Sequence, residues 1–436
     1  MKQRKALAML TAMVLTAGML SGCSEESGGK KHTDRSSSSA QTSDGAQNGK
    51  QDSESSDETG EGSGGIVYDD DDSPDTQNRG ALIRRSTNQG YTRAAGGRNR
   101  TAASWSSLKP EKRKKMTLMV YMVGSNLESL GGAASDDIME MIDSGFVSKD
   151  VNLIVYCGGA KSWSINLQSN VNNYLIYDPD DQGFAVIPDT KKSMGAAETF
   201  ASFMNEVPEK YPAEHYGLIC WDHGGGPLGF GNDETYPDPE GMQEVDSLTL
   251  KEMKTALKQT PFAGNKLDFV GFDACLMSSL EVTEVWKDYA SLMIASTDLE
   301  PGCGWDYTFL ETLNSTIETQ AVAESIINHY ADFIRANRSP RFDPDYSLFA
   351  IDLNKADELL SRSEALFAAM DKAFRKGKSR RIITCRKRVH VYGGSRDTAS
   401  STDMDITDFG EFAKELSDTI PTETKALGRT LHDMMC

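Results

Sequence analysis

The sequence predicts an α/β fold, a mostly parallel sheet flanked by helices on both faces and preceded by a disordered tether. Unbroken apolar runs such as "MTLMVYMV" from Met116 and "LDFVGFD" from Leu267 read as strands covered on both faces. These runs alternate with helix-period segments, the order expected of crossover connections in a parallel sheet. From Ser24 to about Ser107 there is hardly an apolar cluster, so that stretch cannot bury enough surface to offset its conformational entropy.

At the N-terminus, Lys2, Arg4 and Lys5 precede an apolar stretch over residues 6–20, too short to span a bilayer and laid out like a secretory signal. It ends in Leu20-Ser21-Gly22-Cys23, which resembles a bacterial lipobox. Residues 1–23 are therefore expected to be a lipoprotein signal peptide, with Cys23 lipidated as the new N-terminus. The expected location is the bacterial cell envelope, lipid-anchored on the outer side of the cytoplasmic membrane or on an exported surface. Residues 24–107, rich in Ser, Gly and acidic residues, read as a tether holding residues 108–436, the folded domain, away from the membrane. Arg84, Arg85, Arg93 and Arg98 break its acidic trend; they read as solvated charges or as a place for trimming.

The chain of 436 residues has a formal charge of −19 and a pI near 4.8, which excludes nucleic acid as a partner and favours cationic peptides. Seven cysteines occur at irregular spacing with no C-x-x-C pair, which fits neither a zinc module nor a disulfide scaffold. An exported chain that keeps an unpaired thiol invites the question of what the thiol does.

After the first strand, Gly124-Ser125-Asn126 reads as a turn and "SDDIMEMIDSG" as a helix. Strands follow in "VNLIVYCGG", in hairpin-like "WSINLQSN" and "NNYLIYD", and in "HYGLICW", with a helix over residues 196–206 between the last two. A polar loop leads to "SLTLKEMKTAL", a helix in which Thr249 and Glu252 have capping-box spacing. "CLMSSLEVTEVWKDY" reads as the helix after "LDFVGFD", then come the strand "SLMIAST", a helix in "AESIINHYADFIRAN", the strand "YSLFAID" and a long helix over residues 355–376. "DMDITDFGEFAKEL" supplies a helical end.

Two segments carry the chemistry. His223 in "WDHGGG" and Cys275 in "GFDACLM" each follow an apolar run, so both belong at the carboxyl ends of strands, where open α/β sheets bind ligands. The histidine comes first by 52 residues, the order and approximate interval of caspases. A thiol next to an imidazole attacks a carbonyl carbon, and the imidazole then protonates the leaving amine. Alternate residues of an extended segment share a face, so Asp273 and Cys275 point the same way, and the carboxylate can pair with a cationic side chain.

The segments "WDHGGG", "GFDACLMSSLEV" and "ASTDLEPGCGWDY" resemble the clostripain family of cysteine peptidases, which share a caspase-like sheet with gingipains and legumain. The resemblance covers residues 116–307 well and the remainder loosely. It implies a caspase-like fold, His223 as general acid/base, Cys275 as nucleophile acting through a thioester, and the backbone N–H groups of Gly224 and Cys275 as the oxyanion hole. It further implies cleavage of peptides and proteins after Arg or Lys, with Asp273 as the acid that receives the basic side chain. Asp298 and Glu300, in the loop after "SLMIAS", are candidates for additional negative charge there, and Trp305 for a wall or for core. No third triad member is expected.

No cofactor is required; calcium, which stimulates some relatives, stays open, although the chain has no EF-hand spacing that would give it a clear site. Relatives mature by cutting themselves between the histidine and cysteine strands, whereas this chain has no Lys or Arg from His223 to Lys251. Two other functional classes stay open: a non-enzymatic surface lipoprotein that binds cationic peptides, and a Cys-His amidase acting on a non-peptide amide.

Overall fold

The computed structural model describes residues 104–241, 243–339, 346–393 and 406–435. The expected signal peptide, Cys23, the arginines at positions 84–98 and most of the tether lie outside the described residues. Residues 104–107, assigned to the tether by composition, belong to the packed region: Trp105 is buried and its ring stacks 3.5 Å from that of Tyr174. A single aromatic among serines is averaged away in any composition window, which hides the boundary.

The main sheet is built from β1 (Lys114–Val123), β2 (Val151–Gly158), β3 (Asn173–Asp178), β4 (Gly183–Pro188), β5 (Ala213–Trp221), β8 (Leu267–Asp273), β9 (Ala290–Ala295) and β10 (Phe349–Asp352). Its order is β10-β9-β8-β5-β1-β2-β3-β4. The five central strands from β9 to β2 run parallel, and β10, β3 and β4 add antiparallel pairings at the two edges. The expected α/β class and mostly parallel sheet are present.

Several details differ from the sequence reading. Ser125 and Asn126, read as part of a turn, open a short helix, Ser125–Gly131, directly after β1. Residues 163–170 form no strand, and β3 pairs with β4 instead, a segment whose terminal Gly and Pro mask its strand character. The polar loop after His223 contains a ribbon of β6 (Phe230–Asp233) and β7 (Asp246–Leu248).

The continuous apolar run of β1 is explained by its two buried faces. Met119, Tyr121 and Val123 join a core with Phe200, Phe203 and Met204 of the helix Ala197–Lys210 and with Val282 and Trp286. Leu118, Val120 and Met122 join the opposite core with Ile138 and Met141 of the helix Ala133–Asp143 and with Ile326 and Tyr330 of the helix Thr319–Asn337. Each fully buried large aliphatic or aromatic side chain contributes about 1.5–3 kcal/mol, so a strand buried on both faces anchors the sheet.

A third, smaller cluster joins Leu366, Cys385, Leu416 and Leu431 from the C-terminal helices. The hairpin of β11 (Val391–Tyr392) and β12 (Ile406–Thr407) comes from the same end of the chain.

Candidate active site

Four adjacent parallel strands, β1, β5, β8 and β9, end at one edge of the sheet, and the sequence-predicted residues follow three of them. β5 and β8 pair in register from Gly217 opposite Phe269 to Trp221 opposite Asp273, a constant offset of 52 residues. The Asp222 N–H adds another rung to the Asp273 carbonyl at 3.3 Å. His223 and Cys275 are separated by the same 52 residues, so the interval seen in the sequence is the register of two neighbouring strands carried two positions past their ends.

The glycine loop fits because it crosses the nucleophile segment at contact distance. A Cβ on Gly224 would lie 2.0 Å from the Cys275 carbonyl oxygen, so only glycine allows this approach. The loop then turns back through a bridge between Gly224 and Phe230, in which Gly225 donates its N–H to Gly229 O at 2.9 Å and Gly231 to His223 O at 3.0 Å. The Gly224 N–H takes no part in that bridge.

His223 is half-buried, and its Nε2 lies 2.7 Å from Asn126 Oδ1. A carbonyl oxygen can only accept, so the imidazole donates from Nε2 and carries its basic lone pair on Nδ1. Burial holds the imidazole down to about 4, neutral at physiological pH. Next to this contact, Asp222 is buried and accepts from the Ser125 hydroxyl, the Asn232 N–H and the His223 N–H. The start of the helix Ser125–Gly131 is thereby fastened to the end of β5, with Ser125 held at φ 49°.

Cys275 is also half-buried; the Glu300 N–H donates to its Sγ at 3.2 Å. Burial, reinforced by the charge of Glu300, pushes the thiol up to about 12. Leu276, the next residue, sits at φ 66° and donates its N–H to Asp298 O at 3.1 Å. That left-handed conformation costs a non-glycine residue about 1–2 kcal/mol and prevents a helix from starting at Cys275. The helix expected from Cys275 onward instead runs Leu280–Trp286, capped by the Ser279 hydroxyl, which accepts from the Val282 N–H.

The three candidate acids separate. Asp273 is buried at 4% exposure; its Oδ1 accepts from the Trp305 N–H at 3.1 Å and its Oδ2 from the Tyr307 hydroxyl at 3.1 Å. Glu300 is its neighbour, with both carboxyl oxygens buried and without a hydrogen-bond partner. Burial and then the Asp273 charge push the Glu300 carboxyl well above its ordinary range. Asp298, grouped with these by the sequence reading, faces elsewhere: its Oδ1 accepts from Leu299 N–H at 2.8 Å and Gly393 N–H at 3.0 Å, and its Oδ2 lies 3.8 Å from His390 Nε2. Its carboxylate holds the C-terminal hairpin. Trp305 is core, buried at 1% with its ring against Gly271 and its backbone N–H on Asp273.

Asn126, Tyr307 and Tyr330 were not singled out from sequence. The available signal for Asn126 was its place just past the end of β1, at the sheet edge that also carries His223 and Cys275. Among the described residues no group of three or more His, Cys, Asp or Glu side chains is placed to hold a metal ion, so no step is assigned to calcium.

A model of the clostripain family matches residues 120–434. Clostripain of Hathewaya histolytica is 26% identical over 262 residues, 53% of this chain and 47% of that protein. The chain thus spans about half the length of that curated relative. Among solved structures, a secreted C11 cysteine protease from Bacteroides thetaiotaomicron in complex with an irreversible peptide inhibitor is similar at 22% identity over 58% of this chain and 71% of its own, with a TM-score of 0.47. An inactive zymogen C11 protease from Parabacteroides distasonis is similar at 18% identity over 74% of this chain and 82% of its own, with a TM-score of 0.46.

Proposed function

The chain belongs to the clostripain family, and on that premise we propose that it is a cysteine endopeptidase cleaving after Arg or Lys through a Cys275–His223 dyad. The observation that carries this reading is the shared register of β5 and β8, which sets the histidine and cysteine positions side by side under the Gly224 crossing.

The two groups begin neutral, thiol and imidazole, rather than as an ion pair. As the Cys275 sulfur bonds to the substrate carbonyl carbon, its proton passes to His223 Nδ1 and the carbonyl π pair moves to oxygen. The backbone N–H groups of Gly224 and Cys275 donate to that oxyanion. Collapse expels the amine, which takes the proton from His223 and leaves a thioester. Water attacks the thioester with His223 again as base, restoring the thiol and releasing the acid. Asn126 keeps the ring in the orientation and tautomer that this sequence of transfers needs.

Asp273, whose carboxylate accepts from the Trp305 N–H and the Tyr307 hydroxyl, supplies the charge that selects a basic side chain. At the membrane end, the reading places a lipid on Cys23 and the domain outside the cytoplasmic membrane. Loss of lipid labelling on Cys23→Ala tests that part separately.

Fluorogenic peptides that differ only in the residue before the scissile bond test the enzymatic part. Cleavage after Arg or Lys, abolished by Cys275→Ala and by His223→Ala and lost or redirected by Asp273→Asn, is expected. Activity that survives Cys275→Ala defeats the assignment.

A further inference from the structure

Several buried polar atoms without partners lie near the nucleophile. Both Glu300 carboxyl oxygens, the Trp305 indole Nε1 and the Tyr330 hydroxyl are buried there with no hydrogen-bond partner. Glu300, Cys303, Asp273 and Cys275 all lie close enough to the Tyr330 hydroxyl to act on it electrostatically. The Trp305 indole and the Ala274 N–H approach Glu300 closely enough to favour its charge, although neither makes a hydrogen bond of normal geometry to it.

The two acids are not equivalent. Asp273 has the Trp305 N–H and the Tyr307 hydroxyl as donors, whereas Glu300 has none. An ionised carboxylate buried without donors, beside a second one, is strongly disfavoured, and such a group neutralises instead. Among the described residues, titratable groups that act on the pair or on its neighbours include Cys275 from the end of β8, Cys303 from the loop that carries Glu300, Tyr307 after that loop and Tyr330 from the helix Thr319–Asn337. Behind Tyr307 stand Asp137 and Glu140 of the helix Ala133–Asp143. All of these are neutral or anionic, so a proton is the charge that balances the closed arrangement.

We propose that Asp273 and Glu300 hold one proton between them while no substrate is bound, and that the basic side chain of a substrate enters by displacing it. This rests on the reading that Asp273 receives that side chain. A guanidinium or ammonium then supplies both the charge and the donors that Glu300 lacks, and recognition releases a proton to solvent.

Full-length Cys275→Ala protein titrated with agmatine, a guanidinium probe that cannot be cleaved, tests the proposal by calorimetry in two buffers of different ionisation heat. Proton release on agmatine binding is expected, with affinity rising as pH rises above the ordinary carboxylate range, by at most about tenfold per pH unit. His223 stays neutral across that window and agmatine stays charged. Adding Glu300→Gln, which keeps the shape of the neutral acid, should remove both the proton and the pH dependence. Should that variant fail to fold, the proton count and pH dependence of the Cys275→Ala parent decide. Binding with no proton released and the same affinity at every pH overturns this inference and leaves the peptidase reading intact. Absence of agmatine binding overturns both this inference and the selecting role of Asp273.

Discussion

His223 and Asn126 lie 97 positions apart and meet at 2.7 Å, Nε2 to Oδ1, where the first turn of the helix Ser125–Gly131 reaches the end of β5. The contact orients the base without adding a charge, since an amide carbonyl fixes the ring and its tautomer but does not raise its basicity as a carboxylate would.

Asn126→Ala should therefore lower kcat while leaving KM near its original value. A misplaced base typically costs up to about 100-fold, and the expected loss is about 10- to 100-fold. Steady-state kinetics on an arginyl peptide separates the two constants. A change confined to KM would assign Asn126 to substrate binding instead.

Because burial holds His223 down to about 4, the imidazole is a base over an unusually wide range. As pH falls, kcat should decline through about pH 4–5, well below the ordinary histidine value near 6.5. A kcat profile at saturating substrate reads this group apart from the acid pair, which governs binding.

Gly224→Ala places a Cβ 2.0 Å from the Cys275 carbonyl oxygen, so one of the two backbones has to move. Loss of stability by about 1–3 kcal/mol and of activity by at least about 100-fold are the expected outcomes. Denaturant melts and peptide hydrolysis measure them, and a variant with parental activity would show that the crossing is looser than described.

Glu300→Gln makes a stability prediction of definite sign. A carboxyl raised on folding contributes stability that is fully present below its unfolded value, near 4.5, and is lost as pH rises through its folded value. The variant should match the parent near pH 4 and exceed it at pH 8, by about 1–3 kcal/mol, the range for relieving a buried unpaired polar group. Thermal melts at the two pH values check it.

Asp298→Ala removes the acceptor that holds Gly393 and faces His390. Faster amide exchange at residues 390–393 with an unchanged preference for basic residues is expected. A lost preference would return Asp298 to the substrate-binding acids.

Much of the sheet was legible because burial on both faces writes itself as unbroken apolar runs. β1, β2, β5, β8 and β9 were all visible in that way, and the Thr249–Glu252 capping box is present as the spacing implied. The edge strand β4 and the ribbon of β6 and β7 escaped notice: β4 is half-covered and bounded by glycine and proline, while β6 and β7 bury Asn232, Asp233, Asp246 and Ser247, residue types that resemble loop. The helix expected from Cys275 was misjudged for a local reason: its residue types favour helix, but Leu276 is held left-handed by the Asp298 carbonyl, a partner remote in sequence.

By itself the sequence determined the class of sheet, the residues at the ends of its strands and the 52-residue spacing of histidine and cysteine, because these depend on local pattern and strand order. Only the tertiary structure decided which side chains those residues meet. Asn126 on His223, Glu300 beside Asp273 and Asp298 on the C-terminal hairpin are contacts between segments far apart in the chain. No periodicity records them, since each is set by where a loop closes and not by the composition of the loop.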